Sequence, residues 1–427
     1  MIIHAPETIT QDGKTTVYTR IETARPRQHF PEYLWYRAPE RFGRYFSLQS
    51  DAFLVAALLG AMFYGEDIQV RGPVSPRLAY HLEEYQFVLN MRMPDELQKV
   101  SIHYDRIETQ TNRPKAVGTT FTGGVDSLYT LWKHLPQNQP DPNYQVTHTI
   151  FIRGFDILHT EKDNYQQLYN QFKGPLDELG IDLIELETNM ISVTHNRLNP
   201  SYSYGPMIVS AGLVLAGLFQ RFYIPSSWDY YNLKVNPHTA DPLVDGFLST
   251  DTLEIIHHGS TQRRVEKVAQ IAEWELAQKV LWVCLEARFG EDTWNCSWCE
   301  KCVRTMIPLY ALGALKRFKT FEKPIQSNRD GLVWARKFSL RHNFVSEMFP
   351  FVKKHKADFL PWLYLAAALG YIRYLLIKYM PGFIKQRLRR YGYFVTRNEA
   401  PDAYEHPEVS HLISMRSGQT PEPGAGV

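Results

Sequence analysis

The feature that most constrains the fold is a glycine turn that joins an apolar, strand-like stretch to an amphipathic helix. The turn has the sequence TGGVDS at residues 122–127, and residues 115–121 form the apolar stretch. Backbone N–H groups approach an anion closely at such a turn, and the dipole of the following helix favours negative charge at its N-terminus. The sequence therefore predicts a strand–turn–helix unit that can hold a phosphate. The helical spacing is carried by Leu128, Leu131, Trp132 and Leu135.

The turn supplies six candidate phosphate-binding residues. No lysine lies within it, and the chain has no G-x-x-x-x-G-K-[ST] run, which excludes the mononucleotide loop of kinases and GTPases. The alternative is an ordinary Gly-Gly turn followed by two helix-capping residues. The six candidates are Thr122, Gly123, Gly124, Val125, Asp126 and Ser127.

The second strong feature is a cluster of cysteines far downstream. All four cysteines of the chain lie there, as Cys284 followed by Cys296, Cys299 and Cys302 in the run CSWCEKC. Four thiolates within reach of one centre form a closed tetrahedral Zn²⁺ site, so the spacing predicts structural zinc. A disulfide pair or a redox C-x-x-C is the alternative.

The two motifs together resemble a known family. The turn is similar to the PP-loop of the ATP pyrophosphatase superfamily, S-G-G-x-D-S, with Thr122 replacing the first serine. With the downstream cysteines, residues 115–321 resemble the 7-cyano-7-deazaguanine synthases. Larger synthase-like proteins also carry GFDI, ETN and IPSS segments after successive strands, found here at residues 154–157, 187–189 and 224–227.

The resemblance implies a fold, an activity and cofactors. The fold is that of the adenine nucleotide alpha hydrolases, with ATP and Mg²⁺ at the loop. The activity is adenylation of a small-molecule carboxylate with release of pyrophosphate, followed by capture with ammonia or another amine to give an amide or a nitrile. The motifs of the deazaguanine pocket are not recognisable in this chain, which leaves the carboxylate unidentified.

Four residues are predicted to carry the chemistry. Asp126 is the candidate Mg²⁺ ligand, because Mg²⁺ prefers oxygen ligands, and Ser127 adds a hydroxyl beside it. Lys267 corresponds to a lysine that the synthases place between the two motifs. Arg263 and Arg264 diverge by about 100° on a helix, and we favour Arg264 because it shares a face with Lys267. The alternative is a pair of solvated surface cations.

Substrate contacts are predicted after the second, third and fourth strands of the middle region. Parallel sheets bind ligands at the carboxyl ends of their strands, so these segments share one edge with the loop. Ordinary loop chemistry is the alternative. The candidates are Asp156, Asn189, Ser226, Ser227, Trp228 and Asp229.

Alternating apolar strands and helices predict an α/β fold with a doubly wound parallel sheet. The predicted strands cover residues 116–122, 147–153, 182–187, 221–225, 253–257 and 280–285. Helices are predicted at 206–219 and 262–276 in this region. An N-terminal α/β region, 1–112, has a predicted helix near 52–63, a strand at 68–70, a helix at 75–91 and a strand at 100–104. The ATP-binding domain covers 113–320, a helical basic region 321–398 and a disordered tail 399–427.

The basic region contains an apolar, aromatic helix at residues 359–377 that is interrupted by Arg373 and flanked by cations. The uninterrupted run, 359–372, is shorter than the roughly 20 residues that span a bilayer. A buried core helix is one interpretation. An interfacial helix on an anionic membrane and a docking surface for RNA or a protein partner are the others.

Composition is that of an ordinary globular chain: 427 residues, 44% hydrophobic, 22% charged and a net charge of +2. No N-terminal signal is recognised, so a cytoplasmic location is expected.

Three functions compete. The first is the amide- or nitrile-forming enzyme. The second is a tRNA-modifying PP-loop enzyme such as a thiolase, which usually needs a cysteine that the zinc site would consume. The third is a nucleotide-binding subunit that docks on a partner through its N- or C-terminal region.

Overall fold

A computed structural model describes residues 1–24, 30–111, 114–155, 157–193, 200–232, 240–284, 294–336, 342–381, 384 and 413. Its strands are β1 (Ile2–Ile3), β2 (Glu7–Gln11), β3 (Lys14–Glu22), β4 (Tyr33–Pro39), β5 (Ile68–Val74), β6 (Ile102–Ile107), β7 (Ala116–Thr120), β8 (His148–Arg153), β9 (Asp182–Thr188), β10 (Phe219–Pro225) and β11 (Glu254–His258). Its helices are α1 (Glu40–Gly43), α2 (Asp51–Tyr64), α3 (Pro76–Arg92), α4 (Val125–Lys133), α5 (Lys162–Glu178), α6 (Pro200–Leu213), α7 (Arg264–Ile271), α8 (Glu275–Val280), α9 (Glu300–Ala311), α10 (His342–His355) and α11 (Leu360–Lys378).

One mixed sheet runs through the described chain. Its order is β11-β10-β7-β8-β9-β4-β3-β1-β5-β6, with β2 paired to β3. The five strands from β11 to β9 are parallel. β4 is antiparallel to β9, and β3 is antiparallel to β4 and to β1. The predicted α/β class is therefore confirmed, but the sheet is mostly parallel rather than wholly so.

The parallel half is covered on both faces. Alternate residues of each strand point to opposite faces, and they enter two separate apolar cores. Ile150 and Ile152 of β8 pack in one core with α2, α3 and α6, whereas Phe151 packs in the other with α4, α5, α7 and α9. β10 divides in the same way, with Phe222 and Ile224 in the first core and Tyr223 in the second. Because both faces are covered, the carboxyl ends of these strands are the part of the parallel half that is left for a ligand.

The N-terminal strands continue the same sheet. Tyr36 of β4 is in register with Thr188 of β9, and Glu187 forms an ion pair with Lys14 of β3. On the α3 side, Arg92 binds Asp241 at 2.7 Å in a buried ion pair. The boundary predicted at residue 112 therefore falls within one sheet and one shared core.

Most predicted elements are present with shifted ends. Five of the six strands predicted in the middle region correspond to β7–β11, and the two helices and two strands predicted near the N-terminus correspond to α2, β5, α3 and β6. The helix predicted at 206–219 is present as α6, and that at 262–276 is divided into α7 and α8. The sequence did not predict β1–β4.

The strand predicted at residues 280–285 is wrong within the described part of the chain. Val280 ends α8, and residues 281–284 are extended without a strand partner. Their backbone bonds go elsewhere: the Trp282 N–H donates to the Gly123 carbonyl at 2.8 Å, and the Val283 N–H donates to the Asn295 side chain at 2.8 Å. The apolar segment 281–284 therefore joins the glycine turn to the region of the cysteines and does not form a sheet strand.

The C-terminal helices pack on the second core. Phe359 and Leu363 are fully buried, yet only 22% of the segment Ala357–Leu376 is buried, and by length and composition that segment could cross a membrane. The helix predicted at 359–377 is present as α11, and because it continues through Arg373, its apolar segment is longer than the uninterrupted run 359–372. The tail predicted to be disordered, 399–427, lies outside the described residues except Ile413, which is buried with Tyr18 and Trp35.

Candidate functional site

The glycine turn lies at the carboxyl end of β7, in the middle of the parallel half. Gly123 has φ +69°, and a Cβ there would lie 2.7 Å from the Phe172 ring and 2.9 Å from the Val280 carbonyl oxygen. Only glycine fits this conformation and this space. Gly124 is the N-cap of α4, so the first N–H groups of that helix, which lack intrahelical acceptors, face the edge of the sheet.

The hydroxyl groups of Thr122 and Ser127 form contacts within the turn. The Ser127 Oγ donates to the Gly124 carbonyl at 3.0 Å and lies 3.4 Å from the Thr122 Oγ1. The Gly124 N–H donates to the Thr122 Oγ1 at 3.4 Å. The two 3.4 Å contacts are longer than ordinary hydrogen bonds, whereas the Ser127 bond at 3.0 Å is within the normal range.

Asp126 is held between Lys267, which the resemblance predicted, and Arg264, which helical spacing favoured over Arg263. Its Oδ1 accepts from the Lys267 Nζ at 3.0 Å, and its Oδ2 accepts from Arg264 at 3.2 Å. Arg263 points elsewhere and lies over the Tyr231 ring at 4.3 Å. Burial alone would raise the pKa of Asp126, but the charges of Lys267 and Arg264 outweigh it and lower the pKa below its ordinary value. The predicted grouping is present, and its catalytic role stays a prediction.

Lys267 is a buried lysine with three partners. Its side chain is 2% exposed, and besides Asp126 it donates to the Ser226 carbonyl at 2.5 Å and lies 5.9 Å from the Tyr129 ring. A buried ammonium needs such compensation. It therefore connects the turn after β7 to the segment after β10.

Sequence reasoning missed a third cation and its helix. Arg304 and Thr305 of α9 reach the same place: Thr305 accepts from Arg264 at 3.2 Å, and Arg304 is close enough to influence the charge state of Asp126. Burial and the neighbouring Arg264 lower the pKa of Arg304 to about 9. Burial raises the pKa of Glu347, which faces the two arginines and accepts from the Val265 N–H. The residues VRT directly after the last cysteine were the available signal.

The candidate substrate residues after β10 divide into two kinds. Ser226 is fully buried, and its hydroxyl bonds the Trp228 carbonyl and the Ser260 hydroxyl, so it shapes the loop. Asp229 is also buried and influences Glu347 electrostatically. Ser227 is exposed and Trp228 half-buried, so these two are open to a ligand.

Of the two remaining substrate candidates, Asn189 is described by the structure and does not join this group. The Asn189 side chain is bound to β4, accepting from the Trp35 N–H at 3.1 Å and donating to the Tyr33 carbonyl at 2.8 Å. It follows β9, which is two strands away from β7. Its observed contacts are structural. Asp156 lies outside the described residues.

The four cysteines are positioned to bind a metal ion. Their sulfur atoms all lie within 4.8 Å of one another, and those of Cys296 and Cys302 are 3.9 Å apart. Tetrahedral coordination at a Zn–S distance of about 2.3 Å separates the sulfurs by about 3.8 Å. All four thiols are buried and none is in a disulfide. Cys299 is the N-cap of α9 and Cys302 lies in its first turn, so the cluster fixes the helix that carries Arg304.

Asn295 joins the cysteine cluster to the glycine turn. It is 1% exposed, and its side chain accepts from the Val283 N–H at 2.8 Å and donates to the Leu281 carbonyl at 2.8 Å. The same segment donates from Trp282 to Gly123. The sequence held no signal for this residue, because its partners lie on another segment.

The two histidines at the end of β11, His257 and His258, are part of the packing. His258 stacks with Tyr129 at 5.6 Å and receives or donates a bond with Thr130 at 3.1 Å. Burial, then His134 and Lys267, lower the pKa of His258 to about 2, so it stays neutral. His257 binds the buried Asp245 at 2.5 Å. These contacts are structural.

A cavity of about 260 Å³ lies beside α9, lined by Ser297, Met306, Ile325 and their neighbours. None of the predicted site residues lines this cavity, so we place the candidate site at the carboxyl ends of the parallel strands and not in the cavity. Comparison of the chain with protein-family models, with curated proteins and with solved structures gives no match.

Proposed function

We propose that this protein uses ATP to adenylate a small-molecule carboxylate and then forms an amide or a nitrile, as its resemblance to the 7-cyano-7-deazaguanine synthases implies. One observation carries the proposal. Asp126 lies between Lys267 and Arg264 in the first turn of α4, three residues after Gly123, which has a left-handed backbone. A glycine turn, a helix N-terminus and convergent cations suit a polyphosphate.

Each group has a proposed part. Backbone N–H groups of the turn and the hydroxyls of Thr122 and Ser127 bind the terminal phosphates of ATP. These phosphates compete with Asp126 for Arg264 and Lys267, which releases a carboxylate oxygen as a ligand for Mg²⁺. Arg304 adds a third positive charge near the developing negative charge of the leaving pyrophosphate.

The chemical step balances without a redox partner. A carboxylate oxygen of the substrate attacks the α-phosphorus, and the bond between the α-phosphorus and the bridging oxygen breaks as pyrophosphate leaves. The nitrogen of ammonia then attacks the acyl carbon, AMP leaves with the former carboxylate oxygen, and a proton is lost to give the amide. For a nitrile, the amide oxygen attacks the α-phosphorus of a second ATP as pyrophosphate leaves; AMP then departs with that oxygen, and the nitrogen loses its two protons as the C≡N bond forms.

The cysteine cluster has a structural part in this proposal. Four thiolates with this spacing suit Zn²⁺ in a closed site with no open position for substrate. A closed site leaves no cysteine to carry sulfur, which favours amide or nitrile formation over thiolation. Zinc here supplies no reacting group, and it holds α9 in place.

The test is mass spectrometry of the protein with Mg²⁺-ATP, ammonium and 7-carboxy-7-deazaguanine. We expect AMP, pyrophosphate and a new amide or nitrile. Asp126→Ala and Arg264→Ala should abolish the product, while Arg263→Ala, its matched control on the next residue, should retain most of it. AMP formation that is equal in Asp126→Ala would contradict the assignment of the loop.

Binding and chemistry are separated by titrating Mg²⁺-ATP into the protein calorimetrically. Binding that is lost in Arg264→Ala, together with no product from the deazapurine, would retain the nucleotide site and reject that carboxylate. No ATP binding by the wild-type chain would reject the proposal as a whole.

A further inference from the structure

Helix α11 is apolar around most of its circumference and is little covered by the described chain. Within Ala357–Leu376, only Phe359, Leu363, Ala366 and Gly370 are buried. Its buried contacts form one stripe, Leu363, Ala366 and Gly370, which packs on the turn Asn328–Arg336 and on α10. A core helix would be buried on more sides than this, so burial does not explain the composition of α11.

The face opposite the buried stripe has no charged residue. With successive residues about 100° apart, the side chains that point away from the stripe are all aliphatic or aromatic. The two cations within the helix, Arg373 and Lys378, lie on its flanks, between the buried and outward faces. The outward face consists of Tyr364 (59% exposed), Leu365 (45%), Leu369 (44%), Ile372 (54%), Leu376 (65%) and Tyr379 (75%).

The sequence around α11 is strongly basic, although the chain as a whole is nearly neutral. Between residues 353 and 398 there are ten lysines and arginines and one acidic residue, Asp358, whereas the whole chain has a net charge of +2. Lys353, Lys354 and Lys356 precede the helix in the sequence, and Lys385, Arg387, Arg389 and Arg390 follow it. The α11 surface therefore combines an apolar outward face with a basic segment before it and another after it in the sequence.

We propose that α11 docks this protein on the surface of an anionic lipid bilayer. The outward face enters the boundary between acyl chains and headgroups, and the flanking lysines and arginines contact anionic headgroups. Tyr364 and Tyr379 suit that depth, because tyrosine has an apolar ring and a polar tip. The buried stripe stays on the protein, so the helix lies along the membrane and does not cross it.

The apolar face favours lipid over nucleic acid. RNA binding would use the same basic segments, but its surfaces are polar and wet, and a purely aliphatic and aromatic outward face adds nothing to phosphate contacts. A bilayer offers the apolar phase and the negative charge together. The proposal is independent of the nucleotide chemistry, since none of the residues of α11 belongs to the site after β7.

The experiment is co-sedimentation of the full chain with vesicles of phosphatidylcholine, with and without phosphatidylserine. We expect binding to the anionic vesicles that is at least about tenfold stronger than to the neutral ones and weakens with added salt. Ile372→Glu should reduce binding by about tenfold or more, because it places a charge in the apolar phase. The matched control is Leu243→Glu, at a residue that is 58% exposed in another part of the fold, and it should bind as the wild type does.

Three results would overturn the proposal. The first is no sedimentation of the wild-type chain with anionic vesicles. The second is equal binding by Ile372→Glu and the wild type, which would show that the cations act without the helix. The third is a dimer in analytical ultracentrifugation that Ile372→Glu dissociates, without vesicle binding, which would make a second copy the occupant of this face.

Discussion

At the scale of single residues, Gly123 combines a left-handed backbone with a crowded Cβ position. Gly180 provides a comparison, because its φ is +70° and nothing lies within 4 Å of its Cβ position, whereas Gly123 faces Phe172 and the Val280 carbonyl. Comparison of the two glycines therefore separates the effect of the close approach to α5 and to the end of α8 from the effect of the left-handed backbone.

We predict that Gly123→Ala destabilises the protein more than Gly180→Ala does. The left-handed backbone costs about 1–2 kcal/mol at both positions, and the clash at Gly123 adds about another 1–3 kcal/mol. Urea unfolding followed by circular dichroism measures both free energies of unfolding. Equal losses in the two variants would contradict the packing described around the turn.

His258 leads to a prediction on pH. The pKa of His258 is lowered to about 2, from an ordinary 6.5. Below about pH 6.5 the unfolded chain binds a proton that the folded chain does not, so the unfolded state is favoured and stability falls as the pH falls. The expected slope from this residue is about 1.4 kcal/mol per pH unit.

Unfolding midpoints in urea between about pH 5 and pH 7 test this contribution. His258→Gln retains a polar partner for Thr130 and should flatten the slope in this window. The control, His103→Gln, replaces an exposed histidine and should leave it unchanged. A slope that His258→Gln does not alter would show that other groups control the acid sensitivity.

At the scale of elements, the cysteine cluster, the segment 281–284 and α9 form one unit with the glycine turn. The segment binds Gly123 through the Trp282 N–H, and α9 supplies Thr305 to Arg264. Neither contact involves a sulfur atom. A metal ion held by the four cysteines would therefore act on the turn by positioning two elements, the segment 281–284 and α9.

We predict that removing the metal weakens nucleotide binding as well as folding. Cys299→Ser should lower bound zinc from about one per chain to well below it, measured by elemental mass spectrometry. It should also weaken Mg²⁺-ATP binding by about tenfold or more, because the cysteine cluster would no longer hold α9 and the segment 281–284 together. Lys301→Ala, an exposed residue on the same helix, is the control. Full nucleotide affinity in a zinc-free but folded variant would separate the two sites.

At the scale of the whole molecule, the N-terminal strands and the parallel half share one sheet and one core. β4 pairs with β9, and α2 packs in the same cluster as β8, β9 and β10. Cutting the chain near residue 112 would expose the edge of β9 and the part of the first core that α2 and α3 cover. The two regions are therefore expected to fold together.

We predict a single cooperative unfolding transition for the described body of the protein. Phe53→Ala, at a fully buried residue of α2, should cost about 3–5 kcal/mol and shift the whole transition to lower temperature. Scanning calorimetry of the wild type and the variant measures this. Two transitions, of which only one moves in Phe53→Ala, would indicate independent domains.

The sequence by itself determined the local features of this protein. Glycine at 123 follows from backbone sterics, the shared face of Arg264 and Lys267 follows from helical periodicity, and the closeness of three cysteines follows from their spacing. Each depends on residues a few positions apart, so no knowledge of distant contacts is needed.

Only the tertiary structure decided which distant segments meet. The pairing of β4 with β9, the reach of Arg304 to the turn and the binding of Asn189 to β4 each depend on partners far along the chain. The run at 280–285 has the composition of a strand, but its N–H groups find the Gly123 carbonyl and Asn295 first. Local propensity sets what a segment can form, and competition among long-range hydrogen-bond and apolar partners sets what it forms.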